Sequence, residues 1–313
     1  MSRTSSSAQP FASASLTAAE IATQPALWRR AAEAAADFDG LPRPGERVAV
    51  TGCGTSWFMA IAYAALREAA GLGETDAFAS SEFPVGRPYD RVVAITRSGT
   101  TTEVLDLLRA LRGRIPTVAV TADPKTPVME LADTVAVLDW ADEESVVQTR
   151  FATTALAFLR AGLGELPGLK PVAEAADDAE LALTEPLPEA VLGAEQWTFL
   201  GRGWTYGLAQ EAALKMREAA GAWTEAYPVM EYRHGPIAIT APGRVAWVFG
   251  ELPEGLAAEV AGVGGALVTH PDSDPLAALV RAQRLAVTVA ESRGLNPDRP
   301  RNLNRSVILT PEA

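Results

Sequence analysis

Cysteine and histidine are scarce in this chain: 313 residues carry one cysteine, Cys53, and two histidines, His234 and His270. A lone cysteine excludes an intramolecular disulfide, which fits a cytoplasmic setting. So few soft ligands also leave a transition-metal centre unexpected. Long apolar runs are missing too. None approaches the roughly 18 residues of a membrane span, so no membrane partner is expected. The serine-rich start, residues 1–15, lacks the apolar centre of a secretory signal. Positive charge is in short supply, with 27 Lys and Arg against 39 Asp and Glu and a net charge of −12. Affinity for a nucleic-acid backbone comes from many basic contacts that release counterions, so no nucleic-acid partner is expected. A small anion can still be held locally by hydroxyls and helix N-termini, whatever the global charge.

What is present is enough apolar sequence, 48% of residues, to bury a sizeable core in a chain long enough for two domains. Residues 18–37 read as a helix or helix pair, preceded by a tail without a structural pattern. Residues 47–51, RVAVT, form a short apolar strand that breaks at Gly52-Cys53-Gly54-Thr55-Ser56-Trp57 and gives way to a helix over 58–70. In such a strand–turn–helix the glycines let backbone approach a ligand. Helix N–H groups and the hydroxyls of Thr55 and Ser56 then face an anion. Cys53 reads as a small packing residue. A dinucleotide site is the competing reading, but Trp57 stands where the third glycine of that fingerprint belongs.

Residues 91–95 form the next buried strand, which runs into Thr96-Arg97-Ser98-Gly99-Thr100-Thr101-Thr102-Glu103 before an amphipathic helix over 104–111. A capping box of Thr100 or Thr101 with Glu103 accounts for one or two of these hydroxyls. Five of them at one junction, with Gly99 among them and Arg97 adjacent, point to a phosphate cradle. Strands over 116–121 and 134–140 flank a short helix at 128–132. The resulting strand–helix alternation predicts a parallel doubly wound sheet with its ligand at the carboxyl ends of the strands. Residues 143–150, EESVVQTR, are expected to start a helix reaching Phe158, with its first turn facing the same crevice.

An alanine- and acid-rich stretch, 167–188, reads as a linking helix. After it, Gly201-Arg202-Gly203-Trp204-Thr205-Tyr206 follows the strand 197–200 much as Gly52 to Trp57 follows 47–51, and Ala209 matches Ala60. An internal duplication is expected. On the helix 206–220, Glu211, Lys215 and Glu218 are four and three apart and share one face, which on composition alone reads as a solvated ladder. His234 lies in Glu231-Tyr232-Arg233-His234-Gly235-Pro236 and is the side chain best suited to exchange a proton near neutral pH. Strands at 245–249 and 266–269 and a helix over 276–292 follow, and His270, beside a proline, is assigned no chemistry. The tail around Arg299, Arg301 and Arg305 is basic in an acidic protein, suited to folding back over an anionic ligand.

Taken together, GCGTS, TRSGTTTE, EESVVQTR, GRGWTYGLAQEAALKMRE, EYRHGP and PRNLNRSV resemble the double sugar isomerase (SIS) domain family, including the isomerase half of glucosamine-6-phosphate synthase, from about Glu20 onward. The resemblance implies an α/β fold of two doubly wound parallel-sheet (SIS) domains related by internal duplication, at 18–165 and 195–298. Around them lie a disordered tail at 1–17, a linking helix at 166–194, and a C-terminal tail, 299–313, folding over the active site. It implies a phosphosugar isomerase acting on a hexose 6-phosphate, most simply an aminohexose, by aldose–ketose isomerisation or deamination through an enediol or enolamine, in a cytoplasmic homodimer with no cofactor. Thr55, Ser56, Thr96, Ser98 and Thr101 would hold the phosphate, with Cys53, Gly54, Arg97 and Gly99 in the same loops. Val146 and Thr149 would line the sugar. Glu218 would be the base between C1 and C2, with Lys215 beside it. His234 would open the ring from the other subunit, and Glu231 also stands in the pattern.

Two features depart from the synthase pattern. No glutamine-hydrolysing domain with its N-terminal cysteine is seen, so amidotransfer is not expected. Arg305 stands at the synthase's lysine, and arginine cannot form a Schiff base with a ketose. Dehydration or deglycation on the same scaffold, a non-catalytic phosphosugar sensor and a nucleotide-dependent enzyme remain the alternatives.

Overall fold

Two parallel sheets carry the molecule, as the strand–helix alternation predicts, in a computed structural model that describes residues 13–309. The first half runs α1 (Leu16–Ala22), α2 (Gln24–Ala36), β1 (Val48–Gly52), α3 (Thr55–Ala69), β2 (Thr75–Ala79), β3 (Arg91–Ile95), α4 (Thr102–Leu111), β4 (Thr117–Thr121), α5 (Val128–Leu131), β5 (Thr134–Val137) and α6 (Arg150–Ala161). After α7 (Val172–Thr184) and α8 (Glu189–Leu192), the second half runs β6 (Gln196–Gly201), α9 (Trp204–Ala220), β7 (Thr224–Pro228), β8 (Arg244–Val248), α10 (Leu256–Gly262), β9 (Ala266–Thr269) and α11 (Pro275–Ser292).

The sheets order as β2-β1-β3-β4-β5 and β7-β6-β8-β9, every pair parallel. Strands β1, β4 and β6 are buried along their whole length because helices cover both faces, which is why they are unbroken apolar runs. In the first sheet the order reverses between β1 and β3, which pair Thr51 with Ala94. Their carboxyl ends therefore open a crevice between diverging connections, the usual ligand position in such a sheet.

The halves meet through a layer of helices in which α3 packs on α9, and α9 on α11. Small residues permit close approach: a Cβ on Gly207 would lie 2.5 Å from the Phe58 carbonyl oxygen and 2.8 Å from the Ala62 amide nitrogen. That proximity sets α9 directly against α3, the helix that begins at the crevice. The seam is also ionic. Arg160 on α6 holds Asp274, the N-cap of α11, through two hydrogen bonds of 3.0 and 2.7 Å with both side chains almost wholly buried.

Several expectations are corrected. Strands β2 and β7 are not among the expected ones: both are sheet edges, as β5 and β9 are, but they carry Asp76, Glu225 and Pro228 within them, which breaks the apolar run. The helix expected from residue 143 begins only at Arg150. The Glu143 carboxylate accepts hydrogen bonds from the Thr149 and Phe151 amides, so residues 143–149 form a loop that caps α6 from outside. The chain is already helical at Leu16, where Ser15 caps the Ala18 amide, so the expected tail does not reach 17; its residues 1–12 lie outside the described ones. The expected single linking helix is two helices, and α7 is no spacer, since it packs against both α2 and α11 and buries Ala175, Ala176, Ala179 and Ala182. No helix among the described residues is long and apolar enough to cross a membrane.

Candidate active site

At the end of β1 the chain turns through Gly54, whose φ of 55° is left-handed and suits glycine, and α3 opens with the buried hydroxyls of Thr55 and Ser56. At the end of β3, Thr96, Arg97 and Ser98 are buried in the neighbouring loop. Gly99 is required there twice over: its φ is +62°, and a Cβ would lie 2.1 Å from Thr126 Oγ1. Thr101 is the N-cap of α4 but makes no side-chain capping bond. The capping-box explanation of these hydroxyls therefore fails, and the Thr102 amide is satisfied instead by the Val307 carbonyl.

These loops line one cleft of about 190 Å³. Among the expected residues, Cys53, Gly54, Thr55, Ser56, Thr96, Arg97, Ser98 and Thr101 form its floor, and Val146, Glu218 and Arg305 complete its walls. Residues 303–307 of the tail cross it, with Ser306 Oγ 3.2 Å from Ser98 Oγ and 3.0 Å from Thr100 Oγ1. Arg305 anchors that strap, donating to both Asp142 carboxylate oxygens at 2.5 and 2.7 Å and to the Glu143 carbonyl. Ser306 and Gln148 line the cleft although neither was singled out from sequence; both sit inside the PRNLNRSV and EESVVQTR segments, where position within the motif was the available signal.

Five expected residues do not line the cleft, Lys215 and four others. Gly99 shapes the loop from behind. Thr149 gives its hydroxyl to Glu143 at 3.0 Å. Glu231 and His234 occupy an exposed 3-10 turn after β7, and neither lines the cleft of its own chain.

Lys215 sits just beneath the cleft. The solvated-ladder reading of α9 is overturned: Lys215 is 1% exposed and Glu211 fully buried, because the packing of α9 on α3 turns this face inward. Lys215 Nζ donates to Thr55 Oγ1 at 2.9 Å and to the Glu218 carboxylate, with Glu211 at 3.5 Å. Only Glu218 of the three reaches the cleft, its side chain 19% exposed.

Burial dominates the electrostatics. It pushes the Cys53 thiol up, so this cysteine is no thiolate nucleophile. It lowers the Arg97 guanidinium, which nearby Glu143 counteracts, while Arg97 donates to the carbonyls of Ser145 and Arg305 at 3.1 and 3.0 Å. It acts to lower Lys215 as well, but the carboxylates of Glu211 and Glu218 outweigh it and the ammonium is stabilised. Among the described residues no cluster of His, Cys, Asp and Glu comes together that could hold a metal ion. The arrangement can therefore bind an anion with neutral donors at two helix N-termini and present one carboxylate, oriented by a buried lysine, for proton transfer.

Glu211 gives a measurable pH dependence. Burial raises it from 4.5 to about 8, so the folded chain keeps a proton that the unfolded chain has lost. Its stabilising contribution is complete below about pH 4.5 and declines as pH rises through about 8. Glu211→Gln keeps the neutral shape, and denaturation midpoints measured from pH 5 to 8 should fall less steeply than in the wild type. Parallel slopes would show that Glu211 is ionised when folded.

No family model matches the chain. It is 29% identical to the isomerizing glutamine–fructose-6-phosphate aminotransferase of Xanthomonas campestris over 93% of its own length and 58% of that relative's. It thus spans little more than half of that protein. In fold it matches glucosamine-6-phosphate deaminase of Thermotoga maritima, with a TM-score of 0.79 at 24% identity over 94% of this chain and all of that one. It also matches the C-terminal domain of glucosamine-fructose-6-phosphate aminotransferase from Francisella tularensis, with a TM-score of 0.72 at 21% identity over 92% of this chain and 99% of that one. The resemblance carried by the six motifs is borne out in both sequence and fold.

Proposed function

We propose that this relative of the isomerizing aminotransferases is itself an enzyme of hexose 6-phosphates, most simply an aminohexose 6-phosphate, catalysing aldose–ketose isomerisation or deamination. The observation that carries the reading is one cleft at the strand-order reversal of the first sheet, where the hydroxyl loops after β1 and β3 meet Glu218 from the second half. The phosphate takes the Ser and Thr hydroxyls around Thr55, Ser56, Thr96, Ser98 and Thr101, and its remote binding energy serves to position the reacting carbons. Val146 and Gln148 border the sugar. Glu218 takes the proton from C2 of the aldose, held in place by Lys215, to give an enediol or enolamine. Return of the proton to C1 yields the ketose; where nitrogen sits on C2, water then adds to the resulting imine and ammonia leaves.

His234 lies outside its own chain's cleft on an exposed turn. This supports a homodimer in which His234 and Glu231 complete the partner's site and His234 opens the ring. Arg305 is engaged with Asp142, and a guanidinium forms no Schiff base with a ketose, so its role is to pin the strap. We further infer two duplicated domains, at 18–165 and 195–298, with the chain from 299 closing over the cleft. The order β7-β6-β8-β9 repeats that of β2-β1-β3-β4, and Gly54 and Gly203 cap their helices with nearly identical angles, φ 55° ψ −124° and φ 55° ψ −127°.

The test is a panel of hexose and aminohexose 6-phosphates incubated in heavy water with mass analysis. One compound should exchange its C2 hydrogen and be converted. Binding without exchange would leave a phosphosugar sensor instead. With the active compound, replacing Ser98 and Thr101 by Ala should raise KM about ten-fold or more for the loss of two hydrogen bonds to a charged group; an unaltered KM would dismiss the cradle.

A further inference from the structure

The strap lies over the hydroxyl cleft with its apolar side chains outward. Leu303, Val307, Ile308 and Leu309 are all exposed, and of residues 301–309 only Ser306 is not. A segment held down by burial would show the opposite arrangement, since apolar surface is what gains from leaving water. The one group this strap turns inward is a hydroxyl. Backbone contacts fix it from either side: Arg97 donates to the Arg305 carbonyl at 3.0 Å, and the Thr102 amide at the start of α4 donates to the Val307 carbonyl at 3.2 Å. Beyond them the Leu309 amide donates to Thr102 Oγ1 at 2.9 Å. Ser306 thereby lines the same cleft as Thr55, Ser56, Thr96, Ser98 and Thr101.

The hydrogen count there leaves one proton unspent. A hydroxyl has one hydrogen to donate and two lone pairs to accept with. Ser306 Oγ accepts from Ser98 Oγ at 3.2 Å and from Thr100 Oγ1 at 3.0 Å, which fills both. For its own hydrogen the described residues offer Thr101 Oγ1 at 3.4 Å, a long and weak contact. An anion in the cleft is the better acceptor, because a hydrogen bond to a charged oxygen is roughly twice as strong as one between neutral groups. Ser98 and Thr100, by donating to Ser306, also polarise its O–H toward that acceptor.

We infer that Ser306 is a phosphate ligand: its hydroxyl donates to the 6-phosphate of the sugar and completes the cradle from the far end of the chain. This rests on the reading of the hydroxyl loops as the phosphate site. A phosphate held there bridges the loop after β3 to the strap and keeps residues 301–309 down. A sugar without a phosphate has nothing to offer Ser306. The strap's contribution to affinity is therefore addressed to the phosphate and is indifferent to the rest of the ligand.

The experiment titrates the full chain, as wild type, Ser306→Ala and Ser306→Thr, with fructose 6-phosphate, glucosamine 6-phosphate and inorganic phosphate by calorimetry. Ser306→Ala should weaken all three by a similar factor of about ten or more, the loss of one hydrogen bond to a charged group. Ser306→Thr keeps the hydroxyl and should bind nearly as the wild type does. Trypsin cleavage after the exposed Arg301 supplies a second readout. Fructose 6-phosphate should slow it in the wild type and in Ser306→Thr but not in Ser306→Ala. Without ligand the three should be cut at the same rate, since both carbonyl contacts of the strap remain. Unchanged binding in Ser306→Ala would overturn the inference, and tighter binding would do so by making Ser306 an occupant that the phosphate has to displace. Faster cleavage of unliganded Ser306→Ala, with a loss of affinity that Ser306→Thr does not restore, would overturn it by making the serine a prop for the strap. If the three compounds bind wild type and Ser306→Ala alike, this inference fails alone. If none of them binds the wild type, it fails together with the phosphate cradle.

Discussion

Glu218→Gln should lower kcat by on the order of 10²–10⁴-fold, the usual contribution of a positioned general base, while the phosphosugar dissociation constant stays within a few-fold of wild type. Glutamine keeps the length and planarity of the side chain and can still accept from Lys215 Nζ, so the cleft keeps its shape. What is lost is the carboxylate proposed to take the proton. Solvent-hydrogen exchange at C2 measures that step directly and should fall in parallel with turnover. Exchange at the wild-type rate would remove Glu218 from the mechanism. A matched loss of binding and turnover would make it a substrate contact. Folding should change little, since Lys215 keeps Thr55 at 2.9 Å and Glu211 at 3.5 Å.

Asp274→Ala should cost about 3–5 kcal/mol of folding stability, because it leaves the Arg160 guanidinium buried without its counter-charge. Arg160 and Asp274 are 2% and 0% exposed along their side chains, and Asp274 also accepts the Leu276 amide that starts α11. The pair joins α6 of the first half to α11 of the second. Its loss therefore loosens the seam that holds α9, and with it Glu218, against the first sheet. Chemical denaturation of the single variant, and of the double variant with Arg160→Met, gives the comparison. Removing both charges should recover much of the loss, whereas a double variant as unstable as the single one would place the cost in the α11 cap and not in the buried charge.

The central strands were legible because a strand covered on both faces has to be continuously apolar. Val48–Gly52 and Arg91–Ile95 could be read on that ground alone. Edge strands lack that constraint, and those that stay apolar, β5 and β9, were still legible; Thr75–Ala79 and Thr224–Pro228 were not, because Asp76, Glu225 and Pro228 interrupt the apolar run. The loop at 143–149 was misread for another reason: its residues suit a helix, and only the Glu143 side chain, folded back onto the amides of Thr149 and Phe151, delays the helix to Arg150. His234 was visible only as a candidate for proton exchange, and its place on an exposed turn outside its own cleft is a matter of how β7 ends.

Sequence alone determined the two glycine- and hydroxyl-bearing junctions after β1 and β3, since a strand-to-helix turn that admits an anion demands those residue types within a few positions of one another. It also determined that Glu211, Lys215 and Glu218 share a face, because helical spacing is local. Which way that face looks was decided by tertiary structure. The contact of Gly207 with Phe58 and Ala62 turns it from solvent into the first half, burying two of the three charges and delivering the third to a cleft built some 120 residues earlier. Periodicity orients residues only relative to their own helix, and the direction of the helix in the molecule is set by what packs against it.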